Sequence, residues 1–258
     1  MRTVTSVTAL LVVAAAAGAN PVIIASGQVE LASGTRENRY FQIDPVTGAA
    51  TAVSPIVSTL AGIAGDADGA SGGATGYFVP TTGGRQLHAV PIPAGGATPI
   101  GTPGRIAADL DAFYGVAPGT SQPFIISLGA VGTELYGVNA ESGRTNLLRL
   151  DTTTGGATVI GAPNAVGEQT AGRFSGFSAL TGVDTNGDGA FDAIYGNLNF
   201  DSQQTPTTRL GGIVRYDLAT GTYALLGSNP GVIFFGMASF PWCRPDLNSD
   251  GELTFDDI

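Results

Sequence analysis

The sequence YFQIDPVTGAATAV at residues 40–53 recurs in form as LLRLDTTTGGATVIG at 147–161 and as IVRYDLATGTYALLG at 213–227. Each copy has an apolar strand that ends in Asp, a short polar turn that ends in Gly, and a second apolar strand. The Asp can accept hydrogen bonds from backbone amides one or two residues further on, and the Gly supplies the positive φ that returns the chain to the ladder through a bulge. We therefore expect three β-hairpins with the same turn, which span Asp44 to Gly48, Asp151 to Gly155 and Asp217 to Gly221.

These hairpins belong to a longer repeat. Residues 87–101 align with residues 147–161 at an offset of 60, although Pro91 stands where the Asp is expected, so this turn must be built differently. A further strand precedes each of the three later hairpins, and its tyrosine recurs at intervals of 59 residues. A residue type that recurs at the same strand position normally packs between neighbouring units. We expect core positions, rather than a sugar-stacking platform, for Tyr77, Tyr136 and Tyr195.

The repeating unit is about four strands in roughly 60 residues, which is the proportion of a β-propeller blade. The three quoted stretches are similar to the strand–turn–strand repeats of secreted bacterial β-propeller-like proteins of unassigned function, and the resemblance covers about residues 22–242. It implies an all-β, β-propeller-like array of about four four-stranded repeats. The N-terminal strand Val22 to Ala25 could close the ring beside the last blade. An incomplete ring and an open, curved array are the alternatives.

Composition favours strands and turns. The 258 residues include 39 Gly and 15 Pro, and no stretch after the N-terminus keeps a helical apolar period for three turns. The formal net charge is −10, and all 11 basic residues are arginines. An acidic chain without a basic patch is repelled by phosphate backbones, and a chain without lysine has neither Schiff-base chemistry nor a Walker-type phosphate loop. We expect no nucleic-acid partner, and divalent cations suit the clustered aspartates better.

The N-terminus has the form of a secretory signal peptide. A basic start at Met1-Arg2 precedes the apolar stretch Val4 to Ala17, and Ala17-Gly18-Ala19 is an A-x-A cleavage signal. The apolar stretch is shorter than the roughly 20 residues that a membrane anchor needs, and no later segment is long and apolar enough to span a bilayer. We expect removal of residues 1–19, which leaves a repeat domain at residues 20–242 in a protein that is secreted, extracellular or on the cell surface.

The C-terminal part carries an acidic loop of twelve residues, Asp246 to Asp257. Calcium takes about six to eight oxygen ligands, and an EF-hand-like loop supplies them from its positions 1, 3, 5, 7, 9 and 12. Gly251 stands where such a loop turns sharply, and Leu253 fills the usual apolar position. The predicted ligands are Asp246, Asn248, Asp250, the carbonyl of Glu252, Thr254 (directly or through water) and Asp257.

Asp at the last position of this loop, with the preceding Trp242-Cys243-Arg244-Pro245, resembles the start of a cysteine-led (GC-type) dockerin module. In that family two loop–helix units fold around two calcium ions and dock onto a cohesin-like or cell-surface receptor. Residues 243–258 match only the first part of the module. We expect the chain to be a fragment whose truncated module frays and binds calcium weakly, since metal binding is coupled to folding. The single cysteine, Cys243, either pairs outside this sequence or fills a small buried space.

A second acidic loop runs from Asp184 to Asp192 with oxygen ligands at the same spacing. Its twelfth position falls on Tyr195 in the next strand, so the loop resembles the short aspartate-rich calcium loops between strands of extracellular β repeats. A tight turn at Asn-Gly and Asp-Gly is the plain alternative. Side-chain oxygens that converge without a cation repel each other, which favours calcium. The predicted ligands are Asp184, Asn186, Asp188, the carbonyl of Ala190 and Asp192.

The sequence offers little for catalysis. The only histidine, His88, lies on a repeat strand, where we expect a packed or surface role; one His and one Cys rule out a typical zinc site. We expect a non-catalytic structural or interaction protein, with a carbohydrate-binding protein and a polysaccharide-acting hydrolase or lyase as the alternatives. A propeller glycosidase needs two carboxylates that face one cleft, and spacing selects no pair among Glu30, Glu37, Asp109, Asp111, Glu134, Glu141 and Glu168.

Overall fold

The computed structural model describes residues 22–31, 33–53, 75–79, 86–91, 96–141, 143–167, 173–176, 179–186, 190–202 and 208–240. Within these ranges the elements are β1 (Val22–Glu30), β2 (Arg36–Ile43), β3 (Ala50–Ala52), β4 (Thr75–Phe78), β5 (His88–Pro91), β6 (Thr98–Pro99), α1 (Arg105–Tyr114), β7 (Ile125–Val131), β8 (Glu134–Glu141), β9 (Arg144–Leu150), β10 (Ala157–Val159), β11 (Arg173–Gly176), β12 (Leu180–Val183), β13 (Ala193–Ser202), β14 (Thr208–Tyr216), β15 (Tyr223–Pro230) and β16 (Val232–Phe240). In this described part of the chain, the helix is too short to cross a membrane.

The strands form four antiparallel sheets that lie in a ring, the arrangement of a four-bladed β-propeller. Blade 1 has the strand order β16-β1-β2-β3, and the described strands of blade 2 are β4-β5-β6. Blade 3 has the order β7-β8-β9-β10, and blade 4 has β11-β13-β14-β15 with β12 also paired to β13. Because β12 contacts both β7 and β16, the first strands of blades 3, 4 and 1 meet in the middle of the ring. The predicted all-β, propeller-like array of about four repeats is confirmed.

Blade 1 joins the two ends of the described chain. Strand β1 pairs antiparallel with β16, from Val22 opposite Phe240 to Val29 opposite Val232, and it pairs with β2 on its other side. The N-terminal strand is therefore internal to the sheet. This is the closure beside the last blade that the sequence left as one alternative.

The three Asp turns form as hairpin turns of one geometry. In each, the Asp carboxylate accepts the N–H groups two and three residues further on, at 2.7–3.2 Å, and the Asp carbonyl accepts the glycine N–H at 2.8 Å. From the sequence we expected the carboxylate to bond the amides one and two residues after Asp. The bonded amides are those two and three residues after it, because the turn holds three residues between Asp and Gly. The glycines have φ values of +65°, +69° and +70°, which only glycine adopts without strain.

At three junctions between blades, a glycine of one blade packs directly against the backbone of the next blade. A Cβ atom placed on Gly101, at the end of blade 2, would lie 1.9 Å from the Thr154 carbonyl oxygen in the turn of blade 3. Each Thr in these contacts directly precedes the turn glycine, so the same turn that ends one hairpin also receives the neighbouring blade. The equivalent distances at the next two junctions are 1.9 Å from Gly161 to Thr220 and 2.1 Å from Gly227 to Thr47.

These contacts leave no space for a side chain. Glycine is therefore required at these three positions for a steric reason. Gly101 and Gly161 also have a positive φ, whereas Gly227, which lies within β15, does not. At the junction from blade 1 to blade 2, the corresponding positions Ser54 and Gly95 lie outside the described residues.

The repeated tyrosines pack at the blade junctions. Tyr136 and Tyr195 are buried, as predicted, and the Tyr195 hydroxyl donates a hydrogen bond of 3.2 Å to the Pro45 carbonyl in the turn of blade 1. Tyr77 is half-buried against the apolar core that blades 2 and 3 share. The recurrence therefore reflects packing between units.

Asparagine side chains bind blade 4 to blade 1. Asn229 on β15 accepts the Ala50 N–H at 2.8 Å and donates to the Gly48 carbonyl at 3.0 Å. Asn199 on β13 accepts the N–H of Phe234 at 3.0 Å and donates to the carbonyl of the same residue at 2.6 Å. A carboxamide carries a donor and an acceptor, so one side chain can hold both polar groups of a neighbouring backbone.

Helix α1 was not predicted. It buries Ile106 and Leu110 in the core of blades 2 and 3, begins after Gly104 without a side-chain cap, and ends at Gly115 with φ +63°. Its 10 residues make just under three turns at about 3.6 residues per turn, so its apolar pattern is too short to identify from periodicity.

We predict that Gly227→Ala lowers the free energy of unfolding by about 1–3 kcal/mol, the range for forcing an extra methylene or methyl group into a packed site. Gly96→Ala is the matched control, because Gly96 also lacks a positive φ but a Cβ atom placed on it would have no neighbour within 4 Å. Urea denaturation of both variants measures the difference. Equal stability of the two variants would contradict the junction described above.

We also predict loss of stability in acid. Backbone hydrogen bonds lower the pKa of Asp44, Asp151 and Asp217 below the ordinary value of 3.8. A lowered pKa in the folded state contributes stability that is present above the unfolded pKa and is lost as the pH falls through the folded value. The triple Asp→Asn variant should therefore be less stable than the parent at pH 5, and the difference should shrink as the pH falls below the ordinary value of 3.8, in denaturant melts across this range.

Candidate functional site

The Asp turns and the Asp184–Asp192 loop lie on one side of the ring. Strand direction alternates within a blade, so the connection from the first to the second strand and the turn from the third to the fourth strand emerge on the same side. We call this side the turn face. The opposite side, the hairpin face, carries the connections from second to third strands, including the Glu141–Arg144 hairpin of blade 3.

The Asp184–Asp192 loop joins β12 to β13 on the turn face. Val183 pairs with Ala193, so Asp184 and Asp192 follow and precede two facing strand ends. The Asp192 N–H donates to the Val183 carbonyl at 2.9 Å. The Asp192 carboxylate accepts the Thr185 N–H at 2.9 Å and the Thr185 hydroxyl at 2.8 and 2.7 Å. The sequence interpretation did not include Thr185, because it stands between two predicted ligands.

The other predicted ligands of this loop differ in solvent exposure. Asp184 is fully buried, Asn186 and Ala190 are exposed, and Asp188 lies outside the described residues. Among the described side chains, no group of three or more His, Cys, Asp or Glu is placed to hold a metal ion. Because Asp188 is not among the described residues, the calcium site with its five ligands stays a prediction.

The loop is also fixed to the neighbouring blade. The Gly132 N–H in the turn between β7 and β8 donates to the Phe191 carbonyl at 3.1 Å, and Phe191 is buried. The loop is therefore part of the junction between blades 3 and 4, so any change in its conformation acts on that junction.

The ligands predicted for the C-terminal loop lie outside the described residues: Asp246, Asn248, Asp250, Glu252, Thr254 and Asp257.

Most of the carboxylates considered for acid–base chemistry hold the fold together. Asp109 accepts the Arg105 guanidinium at 3.1 Å and the Ala157 N–H at 2.9 Å, which ties helix α1 to β10. Glu37 pairs with Arg39 at 2.7 Å on β2. Glu168 lies outside the described residues.

Glu134 belongs to a polar chain on blade 3. Its carboxylate accepts the Tyr136 hydroxyl at 2.5 Å and the Arg149 guanidinium at 2.8 Å. Burial and the neighbouring Glu134 raise the pKa of Tyr136 to about 12, and the hydroxyl hydrogen bond lowers the pKa of Glu134. Both groups keep one protonation state around neutral pH, whereas a general acid or base works best with a pKa near the working pH.

Asp111 and Glu141 order a surface loop. Asp111 is buried and accepts the N–H groups of Gly119 at 2.6 Å and Ser121 at 2.7 Å. Burial alone would raise the pKa of Asp111, but hydrogen bonds, first from the Ser121 side chain, bring it below the ordinary value. Glu141 accepts the Arg144 guanidinium and the Gln122 N–H, both at 3.0 Å.

His88 has a packing contact. Its ring lies on β5 and stacks on the ring of Phe78, with centroids 5.0 Å apart and planes at 16°. The packed or surface role expected from the sequence is consistent with this stack.

The comparisons with known proteins add no relative. A scan of the chain against protein-family models and a search of curated proteins each returned no match. Function is therefore inferred from the fold and from the contacts of this chain's own residues.

Proposed function

We propose that the chain is an exported, non-catalytic structural or interaction protein that attaches to a partner or to a cell surface through a calcium-binding, dockerin-type C-terminal module. The observation that carries the non-catalytic part is the use of the carboxylates. Asp109, Asp111, Glu134 and Glu141 each accept hydrogen bonds that connect separate elements of blade 3 or its inserted helix. Groups with such bonds serve the scaffold, and a scaffold with fixed blades is suited to presenting a surface.

The attachment part is supported by where the chain leaves the ring. Strand β16 ends at Phe240, which pairs with Val22, so both ends of the propeller lie together at the turn face. Residues 243–258, with their dockerin-like spacing, follow directly. Because β16 lies in the middle of the ring, a module at that point would extend from the centre of the turn face and leave the hairpin face unobstructed.

The calcium part is supported by the two loops with the spacing of oxygen ligands that this hard cation takes. In the Asp184–Asp192 loop, a buried carboxylate and a second carboxylate stand at the two ends of one loop. The proposed partner of the C-terminal loop is a cohesin-like or cell-surface receptor. Calcium is the proposed cofactor of both loops.

We predict that calcium raises the melting temperature of the mature chain, residues 20–258, after treatment with EDTA. A ligand that binds only the folded state at 100 times its Kd adds about 2.7 kcal/mol. Asp192→Asn should remove most of this shift if the loop between β12 and β13 binds the ion, whereas Asp246→Asn should abolish calcium binding by the C-terminal loop in isothermal titration calorimetry.

Asp68→Asn is the control for the change in net charge, since it lies outside both loops. It should keep the full calcium shift. A parent chain whose melting curve and calorimetric heats do not respond to millimolar calcium would refute the calcium-dependent attachment.

A second candidate function, binding of a polysaccharide, is favoured by one observation. Phe113 on helix α1 and Phe124 before β7 are exposed, and the Phe124 backbone is hydrogen-bonded to the Asn139 side chain and to the Ala140 N–H.

A further inference from the structure

The turn of blade 1 differs chemically from the other two Asp turns at one residue. It contains Asp44–Pro45, which is the only Asp–Pro bond in the sequence. All three turns have the same hydrogen bonds from Asp to the amides that follow. Proline makes this peptide bond a tertiary amide, whose nitrogen has no N–H and takes up a proton more readily than that of a secondary amide. The equivalent pairs in blades 3 and 4 are Asp151–Thr152 and Asp217–Leu218.

The backbone of the blade 1 turn polarises the carbonyl group of the Asp–Pro bond. The Gly48 N–H donates to the Asp44 carbonyl oxygen at 2.8 Å. A fixed N–H at this distance stabilises the negative charge that develops on the oxygen when a nucleophile adds to the carbonyl carbon. The donor is held in place by the junction with blade 4, because a Cβ atom placed on Gly48 would lie 2.7 Å from the Gly227 nitrogen.

A nucleophile is present in the side-chain carboxylate of Asp44. Its Oδ1 atom accepts the Val46 N–H at 2.8 Å and the Thr47 N–H at 3.0 Å. Both amides follow the Asp44–Pro45 bond, so the carboxylate is directed along the chain towards that bond. The backbone amides, first that of Thr47, lower the pKa of Asp44. The carboxylate therefore stays ionised in acid, where protons are available for the leaving nitrogen, and its exposure gives water access.

We propose that the Asp44–Pro45 peptide bond is a self-cleavage site, at which the folded chain breaks itself in mild acid without a protease. The Asp44 Oδ2 atom adds to the Asp44 carbonyl carbon and closes a five-membered ring. The C–N bond to Pro45 then breaks, and the proline nitrogen takes a proton from solvent and leaves as a secondary amine. The cyclic anhydride that remains takes up one water molecule and becomes Asp44 with two carboxyl groups. The net reaction is hydrolysis of one peptide bond, so the proposal is independent of the calcium-binding module.

The contacts of blade 1 keep the ring assembled after the break. The piece that ends at Asp44 contains β1, which lies between β16 and β2, and β2, which also pairs with β3. Phe41 of this piece packs edge-on against Phe234, with centroids 5.7 Å apart. On the other piece, the Tyr195 hydroxyl holds the Pro45 carbonyl at 3.2 Å. We expect a propeller in two pieces, with Pro45 as a new N-terminus on the turn face.

The experiment follows the intact mass of the purified chain during incubation near the ordinary pKa of Asp, about 4, with circular dichroism to establish that the chain is folded. We expect two masses that meet between Asp44 and Pro45, and both pieces should elute together in size-exclusion chromatography. The same chain denatured in guanidinium keeps the Asp–Pro bond but loses the Gly48 hydrogen bond. It should break about tenfold more slowly, which is the factor for one hydrogen bond to a charged oxygen.

Two substitutions exchange the leaving group between turns of the same geometry. Pro45→Thr gives blade 1 the residue of blade 3 and should abolish the break. Thr152→Pro gives blade 3 the residue of blade 1 and should add a second break, after Asp151. Asp44→Asn lacks the carboxylate nucleophile and should stay intact.

The proposal is overturned if the folded parent stays intact or breaks no faster than the denatured chain, because the turn then contributes nothing. A Pro45→Thr variant that breaks at the same position would assign the cut to a contaminating protease and would also overturn it. Failure of Thr152→Pro to break after Asp151, in a chain that circular dichroism shows to be folded, would contradict it as well.

Discussion

The rest of the structure depends on close contact between glycine and backbone at the junctions between blades. A glycine within or just after the outer strand lies against the threonine carbonyl in the turn of the next blade, at a distance that excludes even a methyl group. Because that turn also holds the Asp hydrogen bonds, one short motif both closes its own hairpin and receives its neighbour. The junctions then fix the buried tyrosines, the Asp184–Asp192 loop and the inserted helix in position. Rigid blades allow surface loops to keep one conformation without disulfide bonds within the described residues.

Much of this architecture could be predicted because its information is local. Asp217, the turn residues after it and Gly221 are adjacent in sequence, and their recurrence shows that one solution is used several times. The burial of Tyr136 and Tyr195 could be predicted for the same reason. The pairing of β1 with β16 joins the two ends of the described chain, so the sequence offered it only as one of several alternatives. Helix α1 is stabilised mainly by burial of Ile106 and Leu110 against strands of two blades, which its own short pattern does not show.

The candidate sites also differ in how far the sequence could predict them. The spacing of aspartates from Asp184 to Asp192 is visible in the sequence, but the bond from Thr185 to Asp192 depends on how the loop folds. The Asp44–Pro45 pair is also visible in the sequence, but the Gly48 hydrogen bond to its carbonyl depends on the folded turn. Carboxylates such as Asp109 and Glu134 are indistinguishable in sequence from catalytic ones. Their partners in space, an amide of β10 and a buried tyrosine, favour the scaffold role.

Native-state hydrogen exchange of the chain tests the central claim most directly, because it shows whether the ring is one cooperative unit. If glycine-locked junctions close the ring through β1 and β16, the protected amides of these two strands should exchange only by global unfolding, at the same free energy as those of β13 and β14. Independent fraying of β1, with exchange several kcal/mol easier than in β13 and insensitive to denaturant, would contradict the closed ring and favour an open array.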